Sequence, residues 1–425
     1  MKKKIIVLNI NKSVAEIDWI LPIIVKLKDK YKIFTLFQSR KAYNTLKKDK
    51  LLFNIWSEAS HEYGFDNIIE KVWRFVDQKN FYTFFSNRYE DYFFRYNVQN
   101  YFKQKKINFS EIEIFFSEFG TYSPHINYIK KEEERPKIIH FPTSAFIFSK
   151  SLQNEKANYS LGGDNLIVCN DSDVNYWSKR IERKKIKIVG VPKYDLDWLN
   201  KITNNDKTKE NQKPIILIAY SSRFQVEKKN NERQLNDIMQ VLGQFKDYKI
   251  IFKVHPRKNH PYYLKILKDY KNLDIEISNE NLLHLSKKCN IFLHDRDSSV
   301  IYEGLVFKKP SIEYWSVINS SNFESAPDML KLNVKANNSE ELKKLIKLAI
   351  DKPAHEIWSN QKNAFLINCK KFGENATAHC IDIIQTDVFP HVGNDFKQKA
   401  FYLGYVVHKL LNVKFGIDLE TDRDS

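Results

Sequence analysis

The sequence predicts an α/β protein of two doubly wound parallel-sheet domains that face a cleft. Three observations carry that expectation. Short apolar runs alternate with helically spaced segments, a pattern that builds parallel sheets through right-handed crossovers. The series occurs twice, interrupted by one polar, charged stretch at 201–213, KITNNDKTKENQK. The length of 425 residues suits two or three domains of ordinary size.

In the first series, Lys4 to Ile10 reads as a short buried strand. Ser13 to Lys28 has helical spacing, with Ile17, Ile20, Leu21, Ile24 and Leu27 on one stripe. Tyr31 to Phe37 is a second strand, and further strands are expected at Glu113–Ser117, Lys137–Phe141, Leu166–Cys169 and Ile186–Val189. Phe81 to Phe102 is dense in Phe and Tyr and reads as a long helix packed on the core, in preference to a stacking platform for nucleic-acid bases.

The second series has strands at Pro214–Tyr220, Lys249–Val254, Leu273–Ile277, Asn290–His294 and Pro310–Tyr314. Helices are expected near 231–246, 260–270, 280–288 and 298–307, and Asn338 with Glu341 reads as a capping box opening a helix at 339–350. The division that follows is an N-terminal Rossmann-like domain over 1–200, a linker at 201–213, a second Rossmann-like domain over 214–385 and a helical tail over 386–425. In the tail, Phe396 to Phe415 carries apolar residues and lysines at 397, 399, 409 and 414. Packing back across the domains is the favoured reading, and contact with membrane lipid is the rival.

A net charge of +17 favours anionic ligands or surfaces, although scattered lysines on a solvated surface explain much of it. Cys169, Cys289, Cys369 and Cys380 form no CxxC pair, which argues against a disulfide framework or structural zinc and for a reducing compartment. The start, Met1-Lys-Lys-Lys followed by Ile5 to Ile10, is too short and too interrupted for a signal peptide, and no run reaches membrane-spanning length. The expectation is a cytoplasmic protein.

The chain has no G-x-x-x-x-G-K-[ST], no G-x-G-x-x-G after the first strand, no H-E-x-x-H and no G-x-S-x-G. In open parallel sheets ligands bind beyond the carboxyl ends of the strands, so the residues there are the candidates. The strand Lys249–Val254 runs into His255-Pro256-Arg257, where Pro256 stops the strand. His255 and Arg257 suit a phosphate ester or diphosphate; a plain turn is the bland alternative. The strand Asn290–His294 is followed by Asp295-Arg-Asp-Ser-Ser299 and then by Val300-Ile-Tyr-Glu-Gly-Leu-Val-Phe307. Ser298 and Ser299 would stand at the first turn of that helix, where free amides attract anions, or one of them serves only as a cap. Glu303, one turn on, faces the same cleft and suits ribose hydroxyls. Arg223, after the strand Pro214–Tyr220, is a further phosphate candidate.

The His255-Pro256 pair, with Ser298-Ser299 and V-x-Y-E-G-L-x-x-x-K-P-S-I, resembles nucleotide-sugar glycosyltransferases of the GT-B architecture. More narrowly it is similar to enzymes that use cytidine-nucleotide donors: bacterial sialyltransferases, capsule Kdo transferases and CDP-glycerol phosphotransferases. The resemblance implies that His255, Ser298 and Ser299 bind the phosphate and cytidine portion of the donor. It covers about residues 185–315, and the rest only in layout. Two departures stand out. Glu303 occupies the place where CDP-glycerol enzymes carry an Asp. Their Trp-His-Gly-Thr segment is missing, its nearest counterpart being His140-Phe-Pro-Thr-Ser144. Val189-Gly-Val-Pro-Lys-Tyr-Asp195 is similar to the G-x-P-x-x-D turn ahead of the linker in such enzymes, and reads equally well as an ordinary Gly-Pro turn.

A transferase needs a base for the acceptor hydroxyl. Glu118 and His140, each near a strand end of the first domain, are the candidates, and burial would move the Glu118 carboxyl toward neutrality. The pairs Asp171/Asp173, Asp195/Asp197 and Asp295/Asp297 are discounted as metal ligands, since the first pair belongs at a helix start. The expectation is a metal-independent glycosyltransferase without a cofactor. Its donor would be a cytidine-activated sugar acid such as CMP-Kdo, and its acceptor a surface glycan or lipid-linked glycan met at the inner face of the membrane. Nucleic acid is not an expected partner. The rivals are a CDP-glycerol-type phosphotransferase, an epimerase of the UDP-N-acetylglucosamine 2-epimerase type, and a basic nucleic-acid or membrane-binding protein.

Overall fold

In the computed structural model the strands form two all-parallel sheets, of seven and six strands among the described residues. The structure describes residues 4–10, 14–37, 40–65, 102, 106–118, 136–142, 163–179, 181–203, 213–220, 228–254, 261–295, 299–316, 332–368 and 375–386.

The first lobe runs β1 (Ile5–Ile10), α1 (Val14–Leu27), β2 (Lys32–Phe37), α2 (Arg40–Lys48), α3 (Lys50–Ala59), β3 (Glu62–Phe65), β4 (Ile112–Glu118), β5 (Lys137–Phe141), β6 (Asn165–Val168), α4 (Asp171–Trp177), β7 (Ile186–Ile188) and α5 (Leu196–Thr203). Its sheet order is β3-β2-β1-β4-β5-β6-β7. The second lobe runs β8 (Ile215–Tyr220), α6 (Lys228–Leu242), β9 (Lys249–Val254), α7 (Pro261–Asp269), β10 (Ile275–Ser278), α8 (Leu282–Lys288), β11 (Ile291–His294), α9 (Ile301–Val306), β12 (Ser311–Tyr314), β13 (Val334–Ala336), α10 (Ser339–Asp351) and α11 (Glu356–Asn368), in the order β10-β9-β8-β11-β12-β13. The chain closes with α12 (Ala376–Thr386).

β1, apolar but for Asn9, and the unbroken apolar run of β8 are buried at every position, as a strand covered on both faces requires. Each is flanked by strands that enter from opposite directions along the chain. The order therefore reverses between β1 and β4 and between β8 and β11, which opens a crevice at those carboxyl ends. The stripe of α1 read from the sequence, Ile17, Ile20, Leu21, Ile24 and Leu27, is wholly buried against the first sheet. Five such side chains contribute roughly 10 kcal/mol of transfer free energy, against the entropy of ordering them.

Local signals explain the helix starts. Asn170 accepts from the Asp173 amide while Asp173 takes the Asn170 amide, a complete capping box for α4. Asn338 accepts from the Glu341 amide to open α10, while the Glu341 side chain reaches back to Asn337 and Asn338. Asp49 caps α3 through the Leu52 amide. The expected linker is helical over its first three residues, since α5 continues to Thr203. Of the expected aromatic helix at 81–102 only Phe102 lies within the described residues, buried against Phe34. The tail segment 396–415 lies outside them.

The chain crosses back to the first lobe at α12. Cys380 and Ile384 join the core that holds α1. Asp195 caps this helix with both oxygens, accepting from the Ala376 and Thr377 amides at 2.8 Å each, and Lys137 Nζ donates to the Ile383 carbonyl at 2.7 Å near the other end. Both contacts complement the partial charges of a helix, a carboxylate at its positive start and an ammonium near its negative end. A helix that packs back thus sits at 376–386; of the 386–425 stretch expected to do so, all but Thr386 lies outside the described residues. Among the described residues no helix is long and apolar enough to cross a membrane.

Helix α9 is fitted tightly. A Cβ on Gly304 would lie 2.5 Å from Ser311 Oγ and 2.9 Å from Phe292 Cγ, so only glycine lets the helix rest on β11 and β12. The helix ends in a Schellman turn, with the Lys309 amide on the Gly304 carbonyl and the Lys308 amide on that of Leu305. Lys308 takes the left-handed position, φ 57°, that glycine ordinarily fills.

Three predictions follow from this packing. Gly304→Ala lowers unfolding stability by about 1–3 kcal/mol through overpacking, read by urea titration. Lys308→Gly raises it by about 1 kcal/mol by relieving the left-handed lysine. The third concerns Asp49, which burial pushes up to about 6 from 3.8, while the Leu52 amide and Lys253 of the other lobe pull the other way and Asp18 and Glu280 add to the rise. The native state then holds a proton on Asp49 that the unfolded chain has lost between roughly pH 4 and 6, so this group's contribution to stability declines as pH rises through that window. Asp49→Asn keeps the cap and removes the cost. Its stability advantage is absent near pH 4 and grows to about 2–3 kcal/mol above pH 6. A pH-independent difference between the two proteins refutes the assignment.

Candidate functional site

The crevice of the second lobe lies at the carboxyl ends of β8, β9 and β11. β9 ends at Val254 and β11 at His294, and the two flank β8, so their ends stand about 10 Å apart, two strand spacings. His255, Pro256 and Arg257 after β9, Arg223 after β8 and Ser298 after β11 lie outside the described residues. Ser299 is described. It is half-buried, one residue before Val300, which stands at the cap of α9 with no side-chain capping bond. Within β11, His294 is buried and its Nδ1 lies 2.8 Å from the Asp295 carbonyl oxygen.

Glu303 is the described candidate with the clearest geometry. It is 6% exposed on the first turn of α9. Its Oε1 receives Lys193 Nζ at 2.6 Å and the Tyr194 hydroxyl at 2.9 Å. Its Oε2 is buried with no hydrogen-bond partner among the described residues. A buried acceptor left without a donor costs on the order of 1–3 kcal/mol, so such an atom calls for an explanation.

Lys193 and Tyr194 belong to the segment Val189–Asp195. Gly190 adopts φ 88°, open to glycine but strained for other residues, and Pro192–Tyr194 make one 3₁₀ turn. The turn thereby drives a lysine into the seam between the lobes. Lys193 Nζ also lies 3.4 Å from Asp18 Oδ2 of α1, and Asp18 Oδ1 accepts from Asn281 Nδ2, the residue that caps α8. Burial alone would depress the lysine, but Glu303 and Asp18 outweigh it and raise its pKa above the ordinary value. Nearby, burial lowers Lys253, against the pull of Asp49, Asp18 and Glu280. The seam is thus a set of acidic and basic groups drawn from both lobes.

In the first lobe Glu118 is the last residue of β4, at the switch point beside β1, and half-buried. His140 is 3% exposed, one residue before the end of β5. In the register Ser117 faces His140 and Glu118 faces Phe141, so the two candidates project from opposite faces of the sheet. His140 stands in a row with Ser117 and Asn9, whose side chains are bonded to each other, and its ring fills the space a Gly163 side chain would take. The sequence reading passed over Lys193, Tyr194 and Asp18. The G-x-P-x-x-D turn pointed to the place but not to the burial of its lysine.

No protein-family model matches this sequence, and no curated protein sequence matches it. Solved structures do resemble it. UDP-N-acetylglucosamine 2-epimerase of Neisseria meningitidis, solved with UDP-GlcNAc bound, is similar over 90% of this chain and 100% of its own, with TM-score 0.59 and 15% identity. S. aureus MnaA in complex with UDP is similar over 90% of this chain and 96% of its own, with TM-score 0.58 and 14% identity. A glycosyltransferase of Rickettsia africae is similar over 91% of this chain and 100% of its own, with TM-score 0.52 and 12% identity. At such identities the likeness speaks for the fold, and this chain has the GT-B architecture of two Rossmann-like lobes.

Proposed function

We propose that this chain is a glycosyltransferase that takes a nucleotide-activated sugar. The donor lies over the carboxyl edge of the second sheet, and an acceptor hydroxyl approaches from the first. The observation that carries the reading is Glu303: a buried carboxylate one turn into the helix after β11, with Oε2 lacking a donor among the described residues. A ribose diol supplies such donors. In the same reading His255 and Arg257 after β9, Arg223 after β8, and Ser298 and Ser299 before α9 hold the phosphate. About 10 Å between the flanking strand ends suits a nucleotide head with its phosphates. Glu118, at the strand end of the facing lobe, is the proposed base for the acceptor hydroxyl, with His140 the alternative.

The finer proposal is a cytidine nucleotide carrying a sugar acid. It rests on the His255-Pro256 and Ser298-Ser299 motifs and their resemblance to cytidine-donor enzymes. The likeness to UDP-N-acetylglucosamine 2-epimerases favours a second reading, in which the nucleotide sugar is isomerised with no acceptor.

A thermal-shift screen against CMP, CDP, UDP and GDP tests the binding, because a ligand of the native state alone raises the melting temperature. We expect a rise with cytidine nucleotides, and His255→Ala and Ser299→Ala each lower turnover by tenfold or more, about 1.4 kcal/mol. A shift with UDP alone, with conversion of a UDP-sugar in the absence of any acceptor, selects the epimerase. No shift with any nucleotide, joined to salt-sensitive RNA or vesicle binding, refutes both.

A further inference from the structure

Glu303 is held in a manner that a ribose contact alone does not explain. Its neighbour Gly304 lies where a Cβ would meet Phe292 and Ser311, so the helix rests close on β11 and β12. Its Oε1 takes two donors from the first lobe, the Lys193 ammonium and the Tyr194 hydroxyl. Lys193 is itself anchored from the far side by Asp18, and Asp18 by Asn281. With one oxygen doubly bonded, the two donors orient the carboxylate and set the direction in which Oε2 points. That oxygen is buried and has no partner among the described residues.

We propose that Lys193 and Tyr194 are positioning residues that fix Glu303 so that its second oxygen recognises the 2′,3′-diol of the nucleotide, which makes ribose specificity a property of both lobes. The inference rests on the nucleotide reading above and adds what that reading lacks: a reason for a buried lysine and phenol 110 and 109 residues from the carboxylate they bind. A carboxylate with both oxygens mobile would accept equally from water or from a side chain, and would discriminate poorly between a diol and its deoxy analogue. Pinning Oε1 leaves one acceptor in one orientation. Lys193 and Tyr194 need not touch the nucleotide themselves.

Isothermal titration separates this from a merely structural role. The probes are UDP and CDP with their 2′,3′-dideoxy counterparts, on the full chain. The proteins are the wild type, Lys193→Met, Lys193→Arg and Tyr194→Phe. The wild type is expected to prefer the ribose form of whichever nucleotide it binds by tenfold or more. Tyr194→Phe, which removes one hydroxyl and leaves the packing, reduces that preference about threefold. Lys193→Met abolishes it, and Lys193→Arg restores part of it, while affinity for the dideoxy form changes less than twofold throughout. If Lys193→Met does not fold, the Tyr194→Phe ratio decides. An unchanged ratio in the folded variants, or equal losses for both sugar forms, overturns the inference and leaves the nucleotide reading intact. A wild type that binds nucleotide without ribose preference overturns it as well. A wild type that binds no nucleotide removes both.

Discussion

A lysine ammonium sealed between two lobes, with a carboxylate from each, is the constraint on which the rest of the cleft depends. Taking Lys193, Asp18 and Glu303 out of water is unfavourable for every one of them, and their mutual attraction in a poorly screened seam, with the hydrogen bonds from Tyr194 and Asn281, compensates. The balance is visible in the lysine, whose pKa is raised although burial acts to lower it. Breaking such a set by removing one member is costly because it leaves a buried charge without its counterpart. The lobes therefore meet here in one register, and the same contacts that join them set the orientation of Glu303.

The segment Val189–Asp195 performs several tasks within seven residues because its backbone is fixed twice. Gly190 supplies a left-handed step and Pro192 a preset φ, which together commit the chain to a 3₁₀ turn at the foot of β7. Successive side chains then leave the turn in different directions. Lys193 and Tyr194 enter the seam, whereas Asp195 caps α12. Since α12 packs on α1, and α1 carries Asp18, the capped helix supports the element that anchors Lys193 from behind. The aspartate of this turn thus has a purely structural role that its spacing in sequence left open.

Much of the architecture is legible in the chain because buried parallel strands are apolar runs of four to seven residues. Lys137–Phe141 and Lys249–Val254 coincide with the strands read from the sequence, and the stripe of α1 is buried at each position read. The capping residues of α4 and α10 are legible for a local reason, since their partners lie three residues away. Strands β3 and β13 escaped notice. Glu62-Tyr-Gly-Phe65 and Val334-Lys-Ala336 are too short and too mixed to signal alone, and they are strands because β2 and β12 offer free edges. The burial of Lys193 escaped for a different reason. Its own segment, Gly190-Val-Pro-Lys-Tyr194, reads as an ordinary Gly-Pro turn, and its carboxylate partners lie at 18 and 303. Long-range electrostatic sets of this kind have no local period, so pattern reading cannot recover them.

Transfer and isomerisation make the same demand on the second lobe, and this is why the fold does not choose between them. Both require the nucleotide to be gripped and its phosphate stabilised as the bond to the sugar weakens, which is work for helix ends, hydroxyls and basic groups. They differ in what the first lobe must do. A transferase needs one base beside an acceptor hydroxyl and room for the acceptor. An epimerase needs groups that move a proton on both faces of the ring and a closed space that excludes other nucleophiles. Glu118 and His140 project from opposite faces of the first sheet, and His140 is packed within it against Gly163. They therefore do not project from one face of the sheet, and in the transferase reading proposed above Glu118, at the strand end next to the switch point, is the single base required. What separates the two proposals is the acceptor, since isomerisation of the nucleotide sugar needs none and transfer does.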